Sequence, residues 1–380
     1  MFAHVDFVLV GMVMTMLGPI LPALSLRWSL NDMQGGYLFL AQFASSCVGM
    51  LLSGVMVQRF GSRRTLIAGL ILMAAGVTLL TRSSWAFGMA AVCTFGVAFG
   101  TNTPAVNLFV ARAAAPRSAS ALNLVNCSWG AGAMACPMLV ALAQREHRIS
   151  VFLYALAAAL VGLAACLTQV RFRADAEMMT LKPASVRSAN PWLPPMLPMV
   201  ALLFFVYVGS ENSVGGWVAS YAHRIGPDSS TFWAITPSFF WGGLLVGRAL
   251  ASITLRILHE TKLAITGLTM ACAGVAMIIG AHSMTPVVTG AVLAGLGFAS
   301  IFPISVSLLP RWIGHSATTL SGPIFAVGNL GGAVLPWVVG AVSTHFSSLR
   351  VGLIVPLIGA LGMLGFYLAQ GGDHSLSETP

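Results

Sequence analysis

Long apolar runs, broken only by short polar turns, fill almost the whole chain and fix what it can fold into. A bilayer core takes a helix of about 20 mostly apolar residues to cross. Lipid offers no hydrogen bonds, so a spanning backbone must satisfy itself, as helices or as a closed barrel. The runs here are continuous rather than alternating, which selects helices over a barrel. Composition agrees. The chain is 57% hydrophobic and 8% charged, whereas a soluble domain carries about 25% charged residues to cover itself in a solvated surface.

The runs predict twelve spans, at 5–24, 35–57, 65–81, 85–110, 119–143 and 150–170, then 196–221, 231–255, 263–281, 286–309, 318–343 and 351–369. Shared among twelve spans, the chain's 380 residues leave about 32 for each span and its loop, which excludes a sizeable soluble domain. The first span begins almost at Met1, without a basic leader, and reads as a retained helix. The net charge of +9 does not indicate nucleic acid, because of where the charges lie. With the N-terminus inside, twelve Lys and Arg fall in cytoplasmic loops and six in outer loops. That is the bias of a multi-pass protein of the cell inner membrane with both termini cytoplasmic. The six cysteines lie within spans and form no CxxC pair, so neither zinc nor disulfides are expected.

Four segments follow: a six-helix bundle at 1–170, a linker at 171–195, a second bundle at 196–370 and a tail at 371–380. The linker is marked by Arg171, Arg173, Lys182 and Arg187 with Pro183, Pro191, Pro194 and Pro195, a solvated, semi-rigid composition. The two bundles repeat each other in sequence. Gly96, Phe99, Pro104, Gly132 and Pro137 recur as Gly295, Phe298, Pro303, Gly331 and Pro336, each 199 residues later. Gly49, Leu51, Leu52 and Gly54 recur as Gly242, Leu244, Leu245 and Gly247, 193 residues later.

After the second span comes Gly54-Val-Met-Val-Gln58-Arg59-Phe-Gly61-Ser-Arg63-Arg64. This resembles the loop motif of the major facilitator superfamily: a glycine, an acid, Arg, a spacer, Gly and two basic residues. Gly54, Arg59, Gly61, Arg63 and Arg64 match, and Gln58 stands where the family has aspartate. The resemblance implies that this loop latches the cytoplasmic side and gates alternating access, more weakly for want of the acid. Three segments look like the fucose:proton symporter branch of that superfamily. They are Tyr207-Val-Gly-Ser-Glu211-Asn212-Ser-Val-Gly-Gly216-Trp217, Gly295-Leu-Gly-Phe-Ala-Ser-Ile-Phe-Pro303 and Gly328-Asn329-Leu-Gly-Gly-Ala-Val-Leu-Pro336. The implied fold is an all-α membrane protein, twelve transmembrane helices in two pseudo-symmetric six-helix bundles, with substrate held between the halves at mid-membrane. The implied activity is secondary transport of a sugar, driven by protons or, in some members, by sodium. Where the family's fourth span often carries a proton-binding glutamate before an asparagine, this chain reads Thr101-Asn102-Thr103-Pro104-Ala-Val-Asn107, with no acid.

Asp6, Glu211 and Arg248 are the ionisable residues that fall inside spans. Glu211 lies mid-span, where a charge costs about 2.5–3.5 kcal/mol on insertion scales and so should face a cavity or a partner. Gly209, Gly215 and Gly216 flank it, and glycine lets a helix loosen around a ligand. Glu211 is therefore expected to bind the coupling proton or a substrate hydroxyl; a structural ion pair or a hydrogen-bonded protonated Glu is the bland alternative. Arg248 is either a counter-charge to Glu211 or Asp6, a gate residue, or a snorkelling side chain. Asp6 reads first as a cap at the start of the first helix and second as a coupling group.

Neutral polar residues are the expected sugar ligands. Gln42, Asn102, Asn107, Asn123, Asn126, Asn212 and Asn329 offer paired donors and acceptors that match hydroxyl groups. Trp129, Trp217, Trp241 and Phe325 offer faces for a pyranose to stack on. Any single Asn serves as well for interhelical glue, and any single Trp for packing or interface anchoring.

Motifs for other chemistry are absent. The only lysines, Lys182 and Lys262, follow Leu181 and Thr261, so there is no GxxxxGK[ST] phosphate loop. No HExxH or GxSxG occurs, and Gly130-Ala-Gly132-Ala-Met-Ala135 follows no strand. An enzyme, a resident cofactor, a bound metal and a nucleic-acid partner are all unexpected. The reading is a monomeric transporter of a small polar solute, a sugar before others, coupled to protons or sodium in a lipid bilayer. Two rivals stay open: a proton-driven exporter of amphipathic compounds, which 19 methionines would suit as an adaptable pocket, and a membrane sensor or receptor that binds without transporting.

Overall fold

The computed structural model describes residues 1–82, 84–114, 118–169, 194–226 and 231–375. The expected linker falls outside the described residues except for 194–195, and so does the tail beyond 375. Regular structure among the described residues is helical throughout. In the first half it comprises α1 (Phe2–Thr15), α2 (Leu17–Trp28), α3 (Asp32–Leu79), α4 (Trp85–Ala113), α5 (Ser118–Arg145) and α6 (Ile149–Gln169). In the second it comprises α7 (Leu197–Ile225), α8 (Thr236–Thr254), α9 (Glu260–Ile279), α10 (Met284–Phe298), α11 (Ile301–Ile313), α12 (Ala317–His345), α13 (Leu349–Gly352) and α14 (Ile354–Ser375).

Ten stretches among the described residues are long and apolar enough to cross a membrane. One of them, α3, holds two of the expected spans. At Gly61 its backbone leaves the helix with φ 80° and ψ 161°, a region open essentially to glycine alone. The second and third spans therefore meet at a single-residue hinge in the loop motif, with no loop of their own. Counting α3 twice and adding α8, a further 19-residue apolar helix, reaches the twelve expected. The chain is a multi-pass α-helical membrane protein. Two spans are interrupted where proline removes a helical donor: α1 and α2 part at Met16, ahead of Pro19, and α10 and α11 part at Ala299–Ser300, ahead of Pro303.

The hinge gives a direct prediction. Gly61→Ala forces a Cβ into that backbone region and is expected to cost about 1–3 kcal/mol, read as a lowered melting midpoint in detergent. A methyl group on Gly162 in α6 meets nothing within 4 Å, so Gly162→Ala is the matched control and should melt no lower than the parent.

The helices group into two compact units: α1 to α6 without Asn31–Gly36, and α7 onward with Asn31–Gly36. In the first unit α1 lies along α5, and a methyl on Gly132 would overlap the Val8 carbonyl oxygen. In the second, α7 lies along α12, and a methyl on Gly331 would overlap the Phe205 carbonyl. Likewise Gly96 leaves no room beside the Gln42 carbonyl, nor Gly295 beside that of Phe240. The glycines that repeat in sequence thus do the same packing in each unit, letting backbones touch where lipid gives no hydrophobic drive for helices to associate. Apolar side chains fill the interiors, Phe7, Val13 and Phe95 in the first unit and Phe240, Phe298 and Tyr367 in the second. In the second unit, the segment 31–36 is held by Asp32, which accepts from Arg224 and Ser343.

Candidate functional site

In the first unit the chemistry centres on Asp6. The capping expectation does not hold: α1 starts at Phe2 with no acid in its first turn, and Asp6 is fully buried. Its carboxylate accepts from Asn102 Nδ2 at 3.1 Å to Oδ1 and 2.8 Å to Oδ2. The turn of α4 that presents Asn102 is fixed from its other side by α3. Ser53 Oγ donates to the Thr101 carbonyl at 2.8 Å, and Gly49 and Gly100 leave no room for a side chain between the two backbones. Asn102 itself is fully buried. Gly69 of α3 lies beside it, where a methyl group would stand 3.3 Å from both its Cβ and its Oδ1. No ion pair reaches Asp6 among the described residues. An intramembrane acid needs a partner or a polar cavity, and here the partner is neutral.

Around this pair the other candidates of the first unit take distinct places. Gln42 is fully buried and donates from Nε2 to the Met14 carbonyl at 3.0 Å, tying the second span to the first. His4 Nδ1 lies 2.8 Å from Ser128 Oγ, a tie between α1 and α5 in either tautomer. Asn107 is half-buried, and its Oδ1 and the Thr103 Oγ1 one turn earlier are buried without hydrogen-bond partners. Asn123 and Asn126 are exposed, and Asn126 Nδ2 donates to its own helix at the Leu122 carbonyl, 2.8 Å away. Trp129 is half-buried on α5.

The second unit holds a different arrangement. Glu211 is 7% exposed on α7, and Arg248 Nη2 of α8 lies 3.8 Å from its Oε2. Within this unit Arg248 is therefore the counter-charge to Glu211. Tyr207 lies one turn before Glu211 on α7, and its hydroxyl donates to the Phe298 carbonyl at 3.3 Å. Two aromatic candidates are enclosed in packing. Trp217 is 1% exposed and donates Nε1–H to the Pro336 carbonyl at 2.8 Å; Trp241 packs on Gly215 and Phe240. Phe325 keeps a partly open face beside Phe204 and Phe302, with ring centroids 5.5 and 5.7 Å away. Asn212 is half-buried and donates to the Val208 carbonyl at 2.8 Å; Asn329 is half-buried on α12.

In the loop motif, Arg63 caps the end of α6. Its Nε donates to the Leu167 carbonyl at 3.0 Å and its Nη2 to the Thr168 carbonyl, a cation placed on the negative pole of a helix. Arg59 and Arg64 are exposed. A methyl on Gly54 meets nothing within 4 Å, so packing within the unit does not account for that glycine. Sequence reasoning gave no role to Thr103 or Ser128 and quoted Tyr207 without one; the available signal was helical spacing, four residues from Asn107 for Thr103 and from Glu211 for Tyr207.

The structure therefore gathers one buried acid with a neutral amide in the first unit, and one buried acid with a cation in the second. Known proteins share this chain's length and fold. It is 24% identical over 356 residues to the Glucose/mannose transporter GlcP of Bacillus subtilis, covering 90% of this chain and 86% of the relative. It is 24% identical over 366 residues to the Glucose/galactose transporter of Brucella abortus, covering 92% of this chain and 88% of the relative. It superposes on the solved fucose:proton symporter FucP of E. coli with a TM-score of 0.58 at 15% identity, covering 96% of this chain and 97% of that one. The family description Major Facilitator Superfamily matches residues 7–336, and with twelve spans and a duplicated six-helix packing plan the chain belongs to that superfamily of transporters.

Proposed function

We propose that the chain is a proton-coupled hexose transporter of the cell inner membrane, monomeric, with both termini cytoplasmic and Asp6 carrying the coupling proton. The relatives named for glucose, mannose and galactose transport support the substrate class, and the solved fucose:proton symporter supports the driving ion. The observation that carries the assignment to Asp6 is the charge of each acid's partner. A proton on Glu211 would take the counter-charge from the Arg248 cation 3.8 Å away, a loss that its 31% exposed side chain softens but does not remove. A proton on Asp6 strands nothing, because Asn102 is neutral. Gln42, Asn107, Asn123, Asn126, Asn212 and Asn329 remain the proposed hydroxyl ligands, and Trp129 and Phe325 the proposed stacking faces. Gly54, Arg59, Gly61, Arg63 and Arg64 are proposed for gating, with Gly61 as its hinge.

The test is transport by purified protein in liposomes loaded with a pH dye. D-glucose is expected to accumulate against its gradient only when the outside is more acid, and adding D-glucose at equal pH should carry protons inward. Sodium-driven accumulation indifferent to pH would overturn proton coupling. Export of amphipathic dyes with no glucose flux would replace the reading with the exporter, and ligand binding with no flux of any kind would replace it with a receptor.

A further inference from the structure

We infer that Asn102 reads the protonation state of Asp6 by turning its amide, accepting from the protonated acid with Oδ1 where it now donates to the carboxylate with Nδ2. This rests on Asp6 being the coupling site. As the structure stands, one amide nitrogen reaches both carboxylate oxygens, at 3.1 and 2.8 Å. That geometry suits a carboxylate, which only accepts. When a proton from water binds a carboxylate oxygen, the new O–H is a buried donor and needs an acceptor. Asn102 supplies one. Its Oδ1 is buried and has no hydrogen-bond partner, and the last torsion of an asparagine is broad and nearly two-fold. A half turn exchanges the two ends of the amide, with no other bond made or broken.

The neighbourhood permits this turn and gives it a direction. The side of Asn102 that carries Oδ1 faces Gly69, and a methyl group there would stand 3.3 Å from that oxygen and 3.6 Å from the Ala98 carbonyl oxygen. With only hydrogen on Gly69, the amide can swing its NH₂ to that side, toward α3. Proton uptake on the first span thus changes the polarity presented to the third. No other charge competes for Asp6: it has no ion pair among the described residues, and His4 of the same helix is turned to Ser128 at 2.8 Å.

Two variants separate this from a merely structural contact. Asn102→Leu keeps the side chain's size and removes both ends of the amide. Gly69→Ala leaves both ends of the amide in place and crowds its Gly69 side, where a methyl group would stand 3.3 Å from Asn102 Cβ and Oδ1 and the bulkier NH₂ of the turned amide would be pressed harder than the oxygen. Each is compared with Asp6→Asn in pH-gradient-driven D-glucose uptake, in D-glucose exchange at equal pH, and in infrared difference spectra between alkaline and acid pH. Asn102→Leu is expected to lower driven uptake about tenfold while exchange stays within about twofold. In both variants the carbonyl band of protonated Asp6, identified by its absence in Asp6→Asn, should move because its O–H has lost its acceptor. If Asp6→Asn removes the band and uncouples transport while Asn102→Leu and Gly69→Ala keep the parent band and parent coupling, this inference alone is wrong. If Asp6→Asn leaves coupling and the band intact, the assignment of the proton fails and takes this inference with it. The spectra need no substrate, so they decide between these outcomes even if glucose is not the cargo.

Discussion

In Asp6→Asn, D-glucose accumulation driven by a pH gradient is expected to fall to background while exchange of labelled for unlabelled glucose at equal pH persists. The substitution is close to isosteric and leaves a neutral amide facing Asn102, a pairing that buried amides can satisfy between themselves. Folding should therefore survive, and the melting midpoint serves as the check. What disappears is a buried acid whose partner among the described residues is neutral, so that its charge can change without leaving an ion stranded. Exchange needs only that the loaded carrier reorient, so it needs no proton release. Glu211→Gln is the informative comparison. If Glu211→Gln shows the split between driven uptake and exchange and Asp6→Asn does not, the coupling proton belongs to the second unit.

The second large effect is on stability. Arg248→Gln is expected to destabilise the protein by about 3 kcal/mol, since removing one member of a buried ion pair typically costs 3–5 kcal/mol. The lower end applies because the Arg248 side chain is 31% exposed against 9% for Glu211, so water and salt already screen part of the interaction. That asymmetry also orders the variants. Glu211→Gln leaves a cation on a long flexible stem that can reach toward water, and it should cost less than Arg248→Gln, which leaves a carboxylate enclosed beside Tyr207. The double variant, Glu211→Gln with Arg248→Gln, strands no charge and should melt within about 1 kcal/mol of the parent. Additive losses in the double variant would mean the two ions do not act on each other.

The architecture was legible because it depends on length and oiliness, which a sequence states outright. All twelve spans are present, and the repeated glycines at 96, 132, 295 and 331 are where backbones touch. Span ends were less legible: α1 begins at Phe2 and α3 runs through Gly61, because hydropathy does not mark where a helix leaves the membrane. That small shift at the start of α1 is why Asp6 read as a cap. The sequence identified the buried ions but not their partners. Choosing between Glu211 and Asp6 as the mate of Arg248 requires knowing which helix faces meet, and Asn102, read as a sugar ligand, is engaged by Asp6. Trp217 shows the same limit. Nothing local distinguishes an indole donating to the Pro336 carbonyl from one that lines a pocket.

The duplication has a consequence for how this carrier arose. Carried across the repeat by the contacts that match Val8 with Phe205 and Gly132 with Gly331, Asp6 falls on Leu203 and Asn102 on Ile301, both buried and greasy. Carried back the same way, Glu211 falls on Met14, and the offset of the second span puts Arg248 on Val55. The repeated module thus needs to have supplied only a way for helices to nest, and each copy carries its own buried acid and partner at positions its twin leaves oily. Division of labour between the copies then follows from where they differ, one holding an acid beside a cation and the other an acid beside a neutral amide.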